Sequence, residues 1–465
     1  MRQEMKLSKD IIGSKEFYAK IIAITVPIII QNAVTHIVNL LDNVMVGRIG
    51  TLEMSAVAIV NQLLFVFSLC IFGGMAGIGI FATQYAGAKD NDGVRHCFRA
   101  KIVLGAVLLV LAFTIFLIFP KQLISIYLAE GTSIEDVSAT ISFALTYLKI
   151  MLIGLIPFTV SQIYATTLRE TGETRMPMIA SVAAIVVNVI FNYFLIFGKF
   201  GFPRLGVAGA AIATALSRFV ETTILIIAVR VKREKYPFMK GALKSLYVPK
   251  QLTRGVITKG LPLLVNEALW SIGMAMLLQS YSVRGLQVVA AANIANTANT
   301  LFSVVYLSMG SAIAIVVGQN LGANEIKEAS RNAWRLIILS SLTCLVMGSL
   351  LALLAPYIPQ MYNTEQEVRG FATSFLYVVA SIMPIEAFAH ACYFTIRSGG
   401  RTGITFAFDS LFTWGVSVPA AIILANFTNV PIVLLFFIVK FLDAIKCVVG
   451  AILVKKGIWI KNIIK

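Results

Sequence analysis

Apolar runs long enough to cross a bilayer, which takes about 20 residues in a helix, recur twelve times along the chain. They lie at roughly 21–46, 54–82, 98–119, 142–165, 176–197, 206–229, 256–281, 287–317, 333–355, 371–395, 403–425 and 430–454. The polar stretches between them are short and leave no room for a soluble domain. The longest, roughly 230–259, is the one candidate linker. The pattern predicts an all-α integral membrane protein of twelve transmembrane helices.

The second half of the chain repeats the first. At an offset of 235 residues Pro27 falls on Pro262, Asn61 on Asn296, and QYAGAKD (84–90) on QNLGANE (319–325). Farther on the offset contracts to 228, aligning TLRETGET (167–174) with TIRSGGRT (395–402), so that Gly172 meets Gly400. Each repeat holds six spans, an even number, so both halves enter from the same side. The expected fold is two six-helix bundles related by a pseudo-two-fold axis along the membrane normal. The boundaries that follow are a segment at 1–20, an N-terminal lobe at 21–229, a linker at 230–255, a C-terminal lobe at 256–454 and a tail at 455–465. Both repeats place Gly-Ala at the end of their second span, as Gly87-Ala88 and Gly322-Ala323. One reading is a helix end, where glycine accepts the left-handed conformation; the other is a gate or hinge.

Composition agrees on the solvent. Of 465 residues 58% are hydrophobic and 13% charged, against about 25% charged in a soluble chain, and the mean hydropathy is +0.85. A net charge of +17 raises the question of a nucleic-acid partner, and the placement of Lys and Arg answers it. With the N-terminus taken as cytoplasmic, the same-side segments hold 29 Lys and Arg and the opposite loops six, namely Arg48, Lys121, Lys199, Arg204, Arg284 and Arg369. The basicity therefore reads as topology and contact with anionic lipid. Both termini are expected in the cytoplasm, in a multi-pass protein of the cell (inner) membrane with the lipid bilayer as a partner and no nucleic acid. Residues 1–20 are too polar and too long for a signal n-region, so the first span is expected to stay as an anchor.

Enzyme motifs are absent: there is no HExxH, GxSxG or GxxxxGK[ST]. The three histidines, His36, His96 and His390, are too dispersed to propose a metal site. No enzyme and no cofactor are expected, and the missing phosphate loop argues against direct ATP coupling. Cys70, Cys97, Cys344, Cys392 and Cys447 lie in or beside apolar runs without CxxC spacing and read as packing residues.

Charged groups inside spans cost about 2.5–3.5 kcal/mol on insertion scales, so each is paired, protonated or used. Glu221 lies three residues from Arg218, and Asp443 three from Lys440 and Lys446, spacings that make structural ion pairs on one helical face. Asp42, Glu267, Glu386 and Asp409 have no Lys or Arg within four residues, which makes them the candidates for carrying a proton or a cation. Gln31, Thr35 and Asp42 share one direction of the first span, beside a stripe of Asn32, His36, Asn39 and Asn43. Such a face belongs in a bundle interior or against water; the plainer reading is a hydrogen-bonded packing seam. Glu386 precedes His390 by four residues, a spacing for a helical hydrogen bond or a proton relay. Of the thirty Phe and fourteen Tyr, most will face lipid or pack, though aromatic faces also attract flat organic cations.

The turns QYAGA and QNLGA, the stretches NVIFNYFLIFGKFGFPRLGVAGAAIATALSRFVE (188–221), LLDNVMVGRIG (40–50) and GLPLLVNEALWSIGMAM (260–276), and RSGG followed by Asp409, Trp414 and Pro419 together carry a resemblance. The chain resembles the multidrug and toxic compound extrusion (MATE) family, and the resemblance rests on these residues. It covers about residues 16 to 454 and implies a V-shaped pair of bundles and antiport driven by sodium or protons. It also implies a cation or proton site at Asp42 with Asn188, Asn192 and Thr214, metal binding being limited to sodium at Asp42. Some members have aspartate at Asn192, which would place the charge change here on Asp42 alone. Some have a cation-site aspartate late in the tenth helix, where this chain reads RSGGRTG. Gln31, Glu267, Glu386 and Asp409 are assigned to the substrate cavity, and Glu267 is expected to favour cationic, drug-like substrates. The function expected is export of small organic molecules by a monomer in exchange for Na+ or H+, through alternating access. A lipid-linked precursor flippase of the same superfamily is the alternative; a membrane-embedded enzyme or a channel fits less well.

Overall fold

The structure is a computed structural model that describes residues 13–128 and 134–465. Residues 1–12 of the expected N-terminal segment lie outside the described residues. Every expected span is helical. They are α1 (Lys15–Gly47), α2 (Thr51–Gly87), α3 (Asn91–Ile118), α4 (Ile134–Glu170), α5 (Arg175–Phe197), α6 (Val207–Val231), α7 (Lys250–Ser282), α8 (Leu286–Gly322), α9 (Ile326–Leu354) and α10 (Gln366–Ser398). Then follow α11 (Thr402–Phe427) and α12, which is broken at Leu442 into Ile432–Phe441 and Asp443–Lys455. Among the described residues eleven helices are long and apolar enough to cross a membrane, and α12 is the one that the break keeps out of that set. Only helices close all their backbone hydrogen bonds within one segment, so a chain whose solvent is lipid has little alternative. The most apolar span, α3, is also among the least buried, with Val110 at 66% and Leu117 at 61% exposure. In water such a helix would be driven to the core; here its surface faces lipid.

The chain divides into two compact units. Unit 1 comprises the described residues up to Ile29, Thr83–Asp90 and Val256–Lys465; unit 2 comprises Ile30–Ala82 and Asn91–Gly255. Unit 2 packs α6 against α4 and α5 through small side chains. Gly154 meets Ala215, and a methyl at Gly209 would stand 2.6 Å from the Leu195 carbonyl oxygen. Small residues let helix backbones approach where lipid supplies no hydrophobic drive. The segment after α6 is docked on this unit: Arg99 of α3 donates to the carbonyls of Ala242 at 2.9 Å and Gly241 at 3.0 Å. Burial pushes the Glu173 carboxyl up, yet hydrogen bonds from Lys235 and Tyr236 hold it below the usual carboxylate range. Unit 1 is built on α8 lying along α9 and α10, with a core that includes Phe375, Met383 and Phe436.

The repeat is visible in backbone detail. Gly172 and Gly400, which the 228-residue register aligns, have φ of 91° and 72°, a left-handed region that only glycine enters at no steric cost. The Gly-Ala turns end their helices, as one reading of the sequence has it, but the glycines themselves are not left-handed. Gly87 and Gly322 are the last helical residues of α2 and α8, and the left-handed residues are Lys89, at 57°, and Asn324, at 63°. The glycines serve close approach instead. A methyl at Gly87 would lie 1.9 Å from the Gln319 carbonyl oxygen, and one at Gly322 would lie 1.8 Å from that of Gln84. Since Gln84 and Gln319 are also equivalent in the 235-residue register, the contact is reciprocal. The C-terminal tail crosses this point. Gln84 donates to the carbonyls of Ser398 and Lys461 and accepts from the Ile463 amide at 2.8 Å, while Trp459 is fully buried. Gly322→Ala should therefore destabilise the protein by about 1–3 kcal/mol, the usual cost of overpacking. A thermal melt of the purified protein reads it, and an unchanged midpoint would mean that the crossing is loose.

Candidate cation and substrate site

Asp42 sits in the C-terminal third of α1, within unit 2, and its environment is amide-rich. Asn192 Nδ2 donates to Asp42 Oδ1 at 2.5 Å and to Asn188 Oδ1 at 3.1 Å, and Asn188 Nδ2 donates to Thr214 Oγ1 at 3.2 Å. One continuous chain thus joins the four residues expected at the coupling site. Asn188 and Asn192 lie one turn apart on α5, which puts both amides on one face, and they are 3% and 1% exposed. Asp42 and Thr214 reach the wall of a cavity of about 450 Å³ within unit 2, together with Asn61, Tyr147, Phe158 and Arg218. Tyr147 donates to Asn61 at 3.3 Å. Among the described residues Asp42 has no Lys or Arg within ion-pair distance.

The donor set fits a hard monovalent cation. Asn192 Oδ1 is buried without a hydrogen-bond partner, although a buried carbonyl oxygen is costly to leave unsatisfied. It lies on the side chain whose Nδ2 holds Asp42, so the linked groups include an anionic carboxylate, amide oxygens and a hydroxyl. Hard cations take such oxygen ligands. Gln31, also expected here, is buried with its Oε1 unpartnered, and its backbone carbonyl accepts from Thr35 at 2.8 Å. It is absent from the cavity wall.

Unit 1 departs from expectation at two acids. Glu386 and Asp409, which lack a basic residue nearby in sequence, are both ion-paired. Lys440 Nζ lies 2.8 Å from Glu386, and Lys446 Nζ lies 3.5 Å from Asp409 and 3.1 Å from Asp443. Both lysines come from α12, which packs on α10, so the pairing is tertiary and invisible to local spacing. Lys440 therefore serves Glu386, and the expected Lys440–Asp443 pair does not form at ion-pair distance. The Glu386–His390 pairing gives way likewise: His390 rests among Tyr306, Tyr393 and Phe394 at ring distances of 5.1–5.9 Å. The expected Arg218–Glu221 pair is present at 3.4 Å. Glu267 is partly buried and has no ion-pair partner among the described residues.

Asn266 was not singled out by any sequence signal, although it stands inside a quoted motif. Its Nδ2 donates to Asp409 Oδ2 at 3.0 Å and its Oδ1 accepts from Ser410 at 2.7 Å. Asp409 and Ser410 lie on the first of two wide π turns in α11, Ala407–Leu411 and Thr413–Ser417, and Trp414 Nε1 donates to the Leu269 carbonyl at 3.0 Å. Widened turns of this kind re-aim side chains and cluster at functional places. Lys440, Lys446, Asp443, Tyr281 and Asn296 line a smaller cavity of about 80 Å³ in unit 1. Asn61 and Asn296, equivalent in the 235-residue register, thus each line the cavity of their own unit.

Comparison with known proteins bears on this arrangement. The MatE family model matches residues 27–194 and 262–423, and the two stretches begin 235 residues apart, the same register that the repeat shows. The chain belongs to the MatE family. It is accordingly a multi-pass membrane transporter and not an enzyme. Among curated proteins, this MATE chain is 26% identical over 417 residues to a probable multidrug resistance protein NorM of Halalkalibacterium halodurans, covering 88% of this chain and 87% of the relative. It is 25% identical over 412 residues to a probable multidrug resistance protein YoeA of Bacillus subtilis, covering 88% and 87%. Among solved structures, a multidrug resistance MATE transporter of the MOP superfamily in an outward-facing conformation superposes with a TM-score of 0.84 at 20% identity, covering 94% of this chain and 95% of that one. A MOP superfamily transporter from Pyrococcus furiosus, described as having a binding pocket of reversed polarity, gives 0.84 at 19% identity, covering 98% and 100%. At these identities the structural likeness shows the fold: twelve membrane helices in an all-α architecture.

Proposed function

We propose that this MATE protein exports small organic, drug-like compounds in exchange for Na+ or H+ by alternating access. The observation that carries the reading is the hydrogen-bonded chain Asp42–Asn192–Asn188–Thr214, which begins at a carboxylate on the wall of a drug-sized cavity and runs through two buried amides to a hydroxyl on the same cavity. A cation or proton arriving at Asp42 changes the charge of that wall, which is the physical requirement for coupling ion to substrate. The names of the multidrug-resistance relatives support the substrate class. Asp42, Asn188, Asn192 and Thr214 form the coupling site; Glu267 biases the substrate by negative potential.

The charge distribution, 29 basic residues against six, supports a topology with both termini in the cytoplasm; the protein acts in the inner membrane as a monomer. Thiol labelling of a cysteine at Lys461 in intact cells reads that topology, and access from outside would overturn it. For transport, purified protein in liposomes is given sodium and pH gradients separately and efflux of a panel of organic cations is followed. Accumulation against a substrate gradient under one of the two is expected; equilibration alone, whatever the gradient, would make the protein a passive pore. The flippase alternative draws no support from the unit 2 cavity, where the charged residues among the described ones that line it are Asp42 and Arg218.

A further inference from the structure

The expectation from sequence is a binding surface suited to cations, yet the unit 2 cavity is charge-balanced. Of the described residues that line it, two carry charge: Asp42 and Arg218. An arginine within a membrane span is expensive and calls for a purpose. Its nearest anion, Glu221, accounts for part of it. Arg218 Nη1 lies 3.4 Å from Glu221 Oε2, at the long end for a charged hydrogen bond, and Glu221 is 2% exposed and does not line the cavity. A guanidinium has five N–H donors in a rigid fork, and this bond is the one hydrogen bond it makes among the described residues. The guanidinium carbon also lies 5.1 Å from the centre of the Phe158 ring, a cation–π contact with another cavity-lining residue. A purely structural ion pair would enclose both partners. Here the acid is enclosed and the side chain of the base remains one-third exposed. Glu221 and Phe158 therefore hold the fork in place and leave most of its donors available at the cavity wall.

We infer that Arg218 is a specificity-determining residue of the unit 2 cavity, where it receives a carboxylate or similar planar anionic group of a zwitterionic organic substrate. Arginine binds such groups through two parallel N–H contacts, which a lysine cannot reproduce. The cationic part of the same molecule is attracted to the cavity's one negative lining residue among those described, Asp42, when its coupling ion has left, so that substrate and ion alternate at one charge. The class of compound is thus narrowed from organic cations to molecules carrying both signs of charge. This rests on the export reading in taking the occupant of the cavity to be the transported substrate.

The test is equilibrium binding, without any gradient, of rhodamine B and of its ethyl ester to the purified full-length protein, followed by fluorescence anisotropy. The two dyes share a cationic xanthene and differ by one free carboxylate. Arg218→Gln should weaken binding of the free acid about tenfold and leave the ester within about twofold, the signature of a lost charge-assisted contact. Arg218→Lys should recover part of the free-acid affinity. Glu221→Gln, which frees the remaining donor, should keep or raise it. Should Arg218→Gln fail to fold, the pattern of the other two variants decides on the same criterion. Equal changes for both dyes in the Arg218 variants, or no binding of either dye by the unaltered protein, would overturn the assignment. Because no gradient is applied, such a failure leaves coupling at Asp42 standing. Conversely, dye discrimination that depends on Arg218 in a protein indifferent to gradients would remove the export reading and keep the site.

Discussion

Asp42→Asn is expected to reduce gradient-driven efflux to the level of protein-free liposomes while the protein inserts at normal abundance. The substitution keeps the shape of the side chain, and its carbonyl oxygen still accepts from Asn192 Nδ2. It removes the one negative charge in the hydrogen-bonded chain that runs to Asn188 and Thr214. A cation bound by neutral oxygens alone loses the Coulomb attraction that offsets its desolvation, and a proton has no carboxylate to occupy. The measurement is efflux under imposed sodium or proton gradients beside quantified membrane protein. Efflux by the variant that matches the unaltered protein would take Asp42 out of the mechanism.

The second large effect separates the two of the four candidate acids that have no ion-pair partner among the described residues. Asp42 belongs to unit 2 and Glu267 to unit 1, and the repeat register sets Glu267 opposite Asn32, about ten residues or roughly 15 Å of helix from the level of Asp42. Asn192→Ala removes the amide that bridges Asp42 to Asn188, so it should raise the concentration of coupling cation needed for half-maximal transport about tenfold, equivalent to about 1.4 kcal/mol, for every substrate. Glu267→Gln should instead weaken cationic substrates more than neutral ones and keep the response to the gradient. Transport kinetics with a cationic and a neutral substrate of similar size distinguish the two. If Glu267→Gln silences the gradient response for all substrates, the division of labour is wrong and Glu267 belongs to the coupling site.

Much of the architecture was legible because membrane spans are local. Twenty apolar residues must form a helix wherever they end up, so the spans could be read from their own composition. The repeat was legible because equivalent backbone geometry needs equivalent residues: Gly172 and Gly400 both adopt positive φ. The chain Asp42, Asn188, Asn192 and Thr214 was named through resemblance to a family whose motif these residues match. Its hydrogen bonds could not be read from spacing, since Asp42 and Asn192 are 150 residues apart.

Where the reading of the sequence went astray, the deciding contacts were between helices. Glu386 and Asp409 have no basic residue within four positions on their own helices, and their partners Lys440 and Lys446 arrive from α12. Gly87 and Gly322 do end their helices, as their place in the repeat suggests, but only the packing shows that their missing side chains admit a neighbouring backbone. Arg218 was read as half of an i,i+3 pair, and only the cavity shows that its guanidinium is also part of a wall. The amino-acid sequence by itself determined the solvent, the spans, the repeat and the residues able to carry charge, all properties of single helices. The tertiary structure alone decided which charges are neutralised and which face a cavity, because an ion pair inside a membrane depends on which helices pack together, and packing joins residues that no local period connects.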